Sequence, residues 1–186
     1  MGDPRRFEAF ARFLRHTFPA ATTVADVAGG HGELAFWLAE LDFRPVVVDP
    51  RPAALPRWIR RTLRKRAVRT GHGGGVERLS RRVEDTDLRP FDLVAALHPD
   101  AATEPAVRAA VALGVDFAVV PCCVFPLDGV PRSREAWLRH LQSLAPGARV
   151  GVLPIAGANR VLWRRGAPAR PARTGSARPA RILDGF

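Results

Sequence analysis

The stretch VADVAGGHGELAFWLAELDFRPVVVDP, residues 24–50, restricts the fold more than any other part of the chain. An apolar run ends in a turn with glycines at 29, 30 and 32, a helical apolar pattern follows, and a second apolar run closes on Asp49. This predicts a strand near 22–28, a helix over 32–41 and a strand over 44–49. Strands that alternate with helices in this way build a parallel sheet covered by helices.

The rest of the chain extends the alternation. Phe7, Phe10, Leu14 and Phe18 recur at three- and four-residue steps, predicting an amphipathic helix over 4–16 that Pro19 stops. A basic helix is expected near 55–67, then the loop TGHGGG, with strands near 79–84, 91–97 and 116–122 and the helical TEPAVRAAVALG before the last of these. The helix SREAWLRHLQSLA leads to ARVGVLPI and NRVLWRR, two extended runs joined by Ala156, Gly157 and Ala158, which read as an antiparallel hairpin. Residues 166–186, rich in Arg, Pro, Ala and Gly, read as a disordered tail. With 186 residues and 47% hydrophobic content, one domain over 1–165 is expected, with the helix within 1–19 as its N-terminal element.

No apolar run reaches the roughly 18 to 20 residues of a membrane span, and the charged start lacks a secretory core, so a soluble, cytoplasmic protein is expected. The two cysteines, Cys122 and Cys123, are adjacent, which suits neither a stabilising disulfide nor, alone, a four-ligand zinc site. The histidines 16, 31, 72 and 140 show no ligand spacing, and no metal is expected. The net charge is +11, yet Lys65 is the single lysine among 29 basic residues. Phosphate recognition and biased composition account for such an arginine excess equally well.

Glycines directly after a strand let the backbone approach a ligand, and the free amides of the next helix attract polar or negative groups, as in nucleotide-type cofactor sites. Asp49 ends the second strand 17 positions beyond Gly32, near the roughly 20 expected of an acid that meets ribose hydroxyls. Gly30 to Ala35 also satisfies the dinucleotide pattern G-x-G-x-x-G/A, but the chain has no tyrosine, which excludes the Tyr-Lys pair of short-chain dehydrogenases. The run Asp26-Val27-Ala28-Gly29-Gly30-His31-Gly32 resembles the D-x-G-x-G-x-G motif of class I methyltransferases that use S-adenosylmethionine (SAM), with Ala28 where the first glycine is usual. The resemblance covers about residues 20–165. It implies a Rossmann-like α/β fold with a seven-stranded mixed sheet, a terminal antiparallel hairpin and helices on both faces. It implies SAM held by Asp26, Ala28, Gly29, Gly30, Gly32 and Asp49, with Asp85 or Glu84 meeting the adenine.

Within that superfamily, Leu97-His98-Pro99-Asp100-Ala101-Ala102-Thr103-Glu104 and Pro121-Cys122-Cys123 resemble segments of eukaryotic tRNA 2'-O-methyltransferases and their relatives. This version is a residue shorter, has Asp in place of Cys-Gly and lacks a zinc-finger region. The resemblance makes RNA, with tRNA a candidate, the leading substrate and a small molecule the next. A non-catalytic methyltransferase-fold module that binds RNA or a partner is the reading from another class. Methyl transfer needs alignment and, for a protonated acceptor, a base, which makes His98 and Asp100 at the fourth strand's end the candidate catalytic pair. The plainer reading is that His98 shapes the turn and Asp100 caps the next helix. Cys122 is expected to line the substrate pocket; a nucleophilic role, as in cytosine-C5 methyltransferases, is the minor alternative. In RWIRRTLRKRAVR, residues 57–69, Arg60, Arg61, Arg64 and Lys65 can track a phosphate backbone or face solvent.

Overall fold

The computed structural model describes residues 3–51, 53–70 and 75–166. Most of the TGHGGG loop and residues 167–186, to which the tail expectation applies, lie outside them. The elements run α1 (Arg6–Thr17), β1 (Thr23–Val27), α2 (Glu33–Glu40), β2 (Arg44–Val48), α3 (Arg57–Thr70), β3 (Glu77–Leu79), β4 (Leu93–Leu97), α4 (Thr103–Leu113), β5 (Asp116–Val120), α5 (Arg134–Leu144), β6 (Arg149–Val152) and β7 (Arg160–Arg164). Single 3-10 turns sit at Val83–Asp85 and Asp100–Ala102.

Seven strands form one mixed sheet in the order β3-β2-β1-β4-β5-β7-β6. The first five are mutually parallel and β7 runs antiparallel to both β5 and β6. The twofold periodicity of the strands fills two cores. Val24, Leu93, Ala95, Leu97, Ala118 and Val120 face α1 and α2, where Phe10, Leu14, Leu34 and Leu38 cover them. Ala25, Val27, Val94, Ala96, Phe117 and Val119 face the opposite way, under Ala106 and Val107 of α4 and Trp137 and Leu141 of α5. Parallel strands buried on both faces must read as apolar runs, and this is why LVAAL and DFAVV are so uniform.

The α1 helix is anchored from both ends of the chain. Arg15 donates to the Leu41 carbonyl at 3.0 and 2.6 Å and lies 3.6 Å over the Phe43 ring, while Arg165 donates to Thr17 O. Phe10 and Leu14 are fully buried, each worth roughly 1.5–3 kcal/mol relative to exposure. The first turn of α1 is thereby held beside the carboxyl ends of β1 and β4. Strand order reverses between those two strands, the place where ligands bind in open α/β sheets.

Two expectations need correction. The third strand lies at Glu77–Leu79 rather than 79–84. Pairing with β2 ends at Val48 opposite Leu79, the chain beyond β2 enters Pro50, which has no N–H to donate, and Ser80, Arg81 and Arg82 emerge into solvent. The hairpin connection is residues 153–159 rather than 156–158: Leu153 and Ile155 turn into the core, and the Leu153 amide closes the loop on Asn159 O at 2.9 Å. No helix among the described residues is long and apolar enough to cross a membrane.

Candidate functional site

The loop after β1 is shaped by what a Cβ would meet. Ala28, Gly30 and Gly32 have φ of +54°, +49° and +82°. Gly29 is required for a different reason, because a Cβ there would collide with the Asp26 carboxylate. Gly30 faces open space, leaving its backbone free to be approached, whereas a Cβ at Gly32 would sit 2.8 Å from Arg78 Nη2. Gly32 stands at the N-cap of α2 and offers no side chain to its first amides.

Asp26 is 1% exposed, and neither carboxylate oxygen has a hydrogen-bond partner. Burial pushes its carboxyl up to about 7; the Ala35 amide, outside hydrogen-bonding geometry, and the Arg78 guanidinium offset part of that push, and Asp49 adds to it. Asp26 lines a cavity of about 280 Å³ with Ala28, Gly29, Gly30 and His98, closed on the α1 side by Arg6 and Phe7. A buried, unpartnered carboxylate at a cavity wall is a strong acceptor for a cation or an N–H donor. Arg6 also lines this cavity, and its guanidinium donates to Asp3 O at 3.2 Å and lies 4.2 Å over the Phe7 ring.

The other two acids expected at the cofactor, Asp49 and Asp85, do not line this cavity. Asp49 is buried and accepts from the Gly30 amide at 3.0 Å and the Arg51 amide at 2.9 Å, tying the end of β2 to the glycine loop. Asp85, on its 3-10 turn, is exposed and lines neither this cavity nor the one described next. Sequence reasoning missed Arg78, whose guanidinium donates to the carbonyls of Gly30 and His31 at 2.7 Å each. Only the pairing of β3 with β2 brings it there, so no local pattern signals it. Arg6 was missed for the same reason, since its role depends on where α1 docks.

Beyond β4 the chain turns sharply: His98 and Asp100 both adopt left-handed backbone, φ +54° and +48°. Such φ in non-glycine residues is held by its surroundings. Here the His98 amide bonds Val120 O at 3.0 Å and Thr103 Oγ1 donates to Asp100 O at 2.8 Å. His98 Nε2 lies 2.9 Å from the Ala158 carbonyl. A carbonyl only accepts, so Nε2 carries a hydrogen, which leaves Nδ1 as the nitrogen that can offer a lone pair. Ala158 belongs to a second cavity of about 420 Å³, walled by Cys122, Cys123, Trp137, Arg134 and Arg160. The His98–Ala158 bond therefore links the walls of the two cavities.

Asp100 does not line the first cavity but meets Cys122, whose thiol donates to its Oδ1 at 3.0 Å. Burial and that carboxylate push the Cys122 thiol up to about 12, which disfavours a free thiolate nucleophile. Arg60, Arg61, Arg64 and Lys65 lie together on α3 with Arg57 and Trp58, exposed and away from both cavities. No acidic residue lies within α3.

No protein-family model and no curated protein matches the chain. Solved structures do match in fold. The chain is similar to "PigF with SAH" (TM-score 0.53, 16% identity, 86% of this chain and 54% of that one). It is similar to the sugar N-methyltransferase KedS8 from Streptoalloteichus sp ATCC 53650 (0.54, 19%, 87% of each chain). A third similarity is to magnesium protoporphyrin IX methyltransferase (ChlM) from Synechocystis PCC 6803 with bound SAH (0.54, 14%, 84% and 80%). The chain thus spans about half the length of PigF but most of the other two. The fold is the Rossmann-like fold of SAM-dependent methyltransferases, with the seven-stranded mixed sheet expected from the sequence.

Proposed function

We propose that this chain is a SAM-dependent methyltransferase whose acceptor is a small molecule. The observation that carries the cofactor assignment is that the unpartnered, buried Asp26 and Arg6 line one cavity with the glycine loop. The methionine end of SAM is an ammonium beside a carboxylate, and an unpartnered buried carboxylate and an arginine on one cavity match both charges. The open Cα side of Gly30 admits the ligand's close approach, and Asp49 keeps lone pairs for ribose hydroxyls. SAM supplies an activated methyl group, so the chain's own task is to align the acceptor and take its proton. His98 Nδ1, with its ring fixed through Ala158, is the base in this reading, and Asp100 holds the Cys122 side of the acceptor wall.

For the acceptor, the second cavity is of a size suited to a small molecule and is lined by Arg134, Arg139 and Arg160 with Glu135, a net positive set that favours an anionic compound. The similarity to KedS8, a sugar N-methyltransferase, and to ChlM, a magnesium protoporphyrin IX methyltransferase, supports the same choice over RNA. The exposed cationic face of α3 is the one observation that favours RNA instead.

Titration calorimetry with SAM tests the assignment. One equivalent should bind, and Asp26→Asn should weaken binding about tenfold to a hundredfold, the loss of one charge-assisted hydrogen bond of roughly 1.5–3 kcal/mol. Unchanged affinity in Asp26→Asn and Gly30→Arg would refute the pocket. Absence of any SAM binding by the folded parent would support a non-catalytic module.

A further inference from the structure

β4 and β5 are parallel neighbours with Leu97 opposite Val120, so the residues just past their ends lie side by side. The left-handed turn at Asp100 brings its carboxylate onto the vicinal cysteines that follow β5. The thiols of Cys122 and Cys123 and a carboxylate oxygen of Asp100 all lie within 4.8 Å of one another. Donors around a tetrahedral zinc, at about 2.3 Å for sulfur and 2.0–2.2 Å for oxygen, stand roughly 3.5–3.8 Å apart. Small side-chain rotations close that difference, and Asp100 and Cys123 are exposed enough to make them.

We propose that Cys122, Cys123 and Asp100 form a binding site for a thiophilic divalent cation, zinc by the chemistry of the ligands, with one coordination position left open. The ion displaces the two thiol protons into solvent as it binds, and the resulting thiolates select zinc over magnesium or calcium, which prefer all-oxygen shells. Three protein ligands with a free fourth position is the arrangement of reactive zinc sites, whereas purely structural sites are closed by four. Adjacent cysteines alone fall short of such a set, as the sequence reading held; the third donor comes from Asp100, 22 residues earlier in the chain. Both cysteines line the 420 Å³ cavity, which puts the ion at the edge of the space assigned to the acceptor. A hydroxyl, thiol or amine bound there would lose its proton more readily. That last consequence rests on the proposed methyl transfer; the metal site itself does not.

The test uses the full chain, reduced with a phosphine, freed of metal and titrated with Co²⁺. One equivalent should give thiolate-to-cobalt charge-transfer absorption in the near ultraviolet, displaced by Zn²⁺. Cys122→Ser and Cys123→Ser should each remove about half of that absorption, and Asp100→Asn should keep it while weakening affinity about tenfold or more. Added imidazole should shift the visible cobalt bands by filling the open position. In the unaltered chain, Zn²⁺ should slow alkylation of both cysteines by iodoacetamide, read by mass spectrometry, which needs no variant to fold. Charge-transfer absorption that is missing or indifferent to both cysteine exchanges, or alkylation rates unchanged by Zn²⁺, would overturn the site. Cobalt bands indifferent to imidazole would overturn its open position. SAM calorimetry on the same samples reports separately on the cofactor pocket.

Discussion

Asp26 carries two consequences of one physical fact, that a carboxylate is buried without a donor. Its carboxyl is raised to about 7, above an ordinary unfolded value near 4. A group raised in this way favours the fold below its unfolded pKa, and that contribution is lost as pH climbs through the folded value. The ligand-free protein should therefore lose stability between about pH 4 and 7, and Asp26→Asn should flatten that part of the profile. SAM affinity should move the opposite way, rising through pH 7 as the carboxylate ionises to meet the ammonium. Thermal unfolding and calorimetry across pH 5–9 check both, and an affinity without pH dependence in the parent would sink the contact. Ala28 is the second residue-scale case. It stands in left-handed backbone, where a Cβ costs roughly 1–2 kcal/mol, while glycine costs up to about 1 kcal/mol in unfolded-chain entropy. Ala28→Gly should thus stabilise the protein by about 0.5–1 kcal/mol, visible as a rise of a few degrees in Tm. Both positions were named from the sequence because the motif Asp26 to Gly32 is local. What could not be read there was why Gly29 must be glycine: the collision is with a side chain of the preceding strand.

At the scale of elements, legibility tracked how much of an element's definition lies within itself. α1, α2, α4, α5, β1, β4 and β5 carry their own periodicity or apolar run, and their observed bounds fall within a few residues of those expected. β3 carries only three residues and is defined by β2, so its place was misjudged. Glu104 shows the same dependence on partners. It is buried within α4, with its carboxylate accepting from Arg108 at 2.7 Å and the Leu127 amide at 3.0 Å. Burial alone would raise its pKa, but those bonds and the nearby His140 hold it below the ordinary carboxylate range. Its contribution should persist above the unfolded pKa and fade as pH falls through the lower folded value. Glu104→Ala, which orphans the Leu127 amide in the loop following the cysteines, should cost about 1–3 kcal/mol in denaturant unfolding. α3 allows a functional discrimination. Exchanging Arg60, Arg61, Arg64 and Lys65 for Gln should leave SAM affinity and small-molecule turnover as in the parent. If the parent binds RNA and the log-log salt slope falls by about 0.7 to 0.9 per lost contact, α3 is a phosphate-tracking face and the acceptor assignment must change.

The molecule as a whole places its two cavities on either side of one hydrogen bond, His98 to Ala158, at the reversal of strand order that the alternation of strands and helices implied. The sheet was legible because its parallel half is built from repeated strand-helix units, and its antiparallel end because no helical segment separates β6 from β7. The second cavity was not legible, since α5, the segment after β5 and the β6–β7 connection meet only through tertiary packing. Separate walls should give separable kinetics. Arg6→Gln touches only the first cavity and should weaken SAM binding about tenfold while leaving the acceptor's KM close to that of the parent. Arg134→Gln combined with Arg160→Gln touches only the second and should raise the acceptor's KM at least tenfold with SAM affinity unchanged. His98→Ala, at the junction, should lower kcat more than either binding constant, because a base acts in the transfer step and not in the ground state. Steady-state kinetics with varied SAM and varied acceptor, set beside calorimetry on each variant, distinguish the three patterns. Equal losses of SAM affinity in the Arg6 and Arg134/Arg160 variants would mean that the two cavities work as one site, and that the acceptor is bound where the structure has been read as cofactor space.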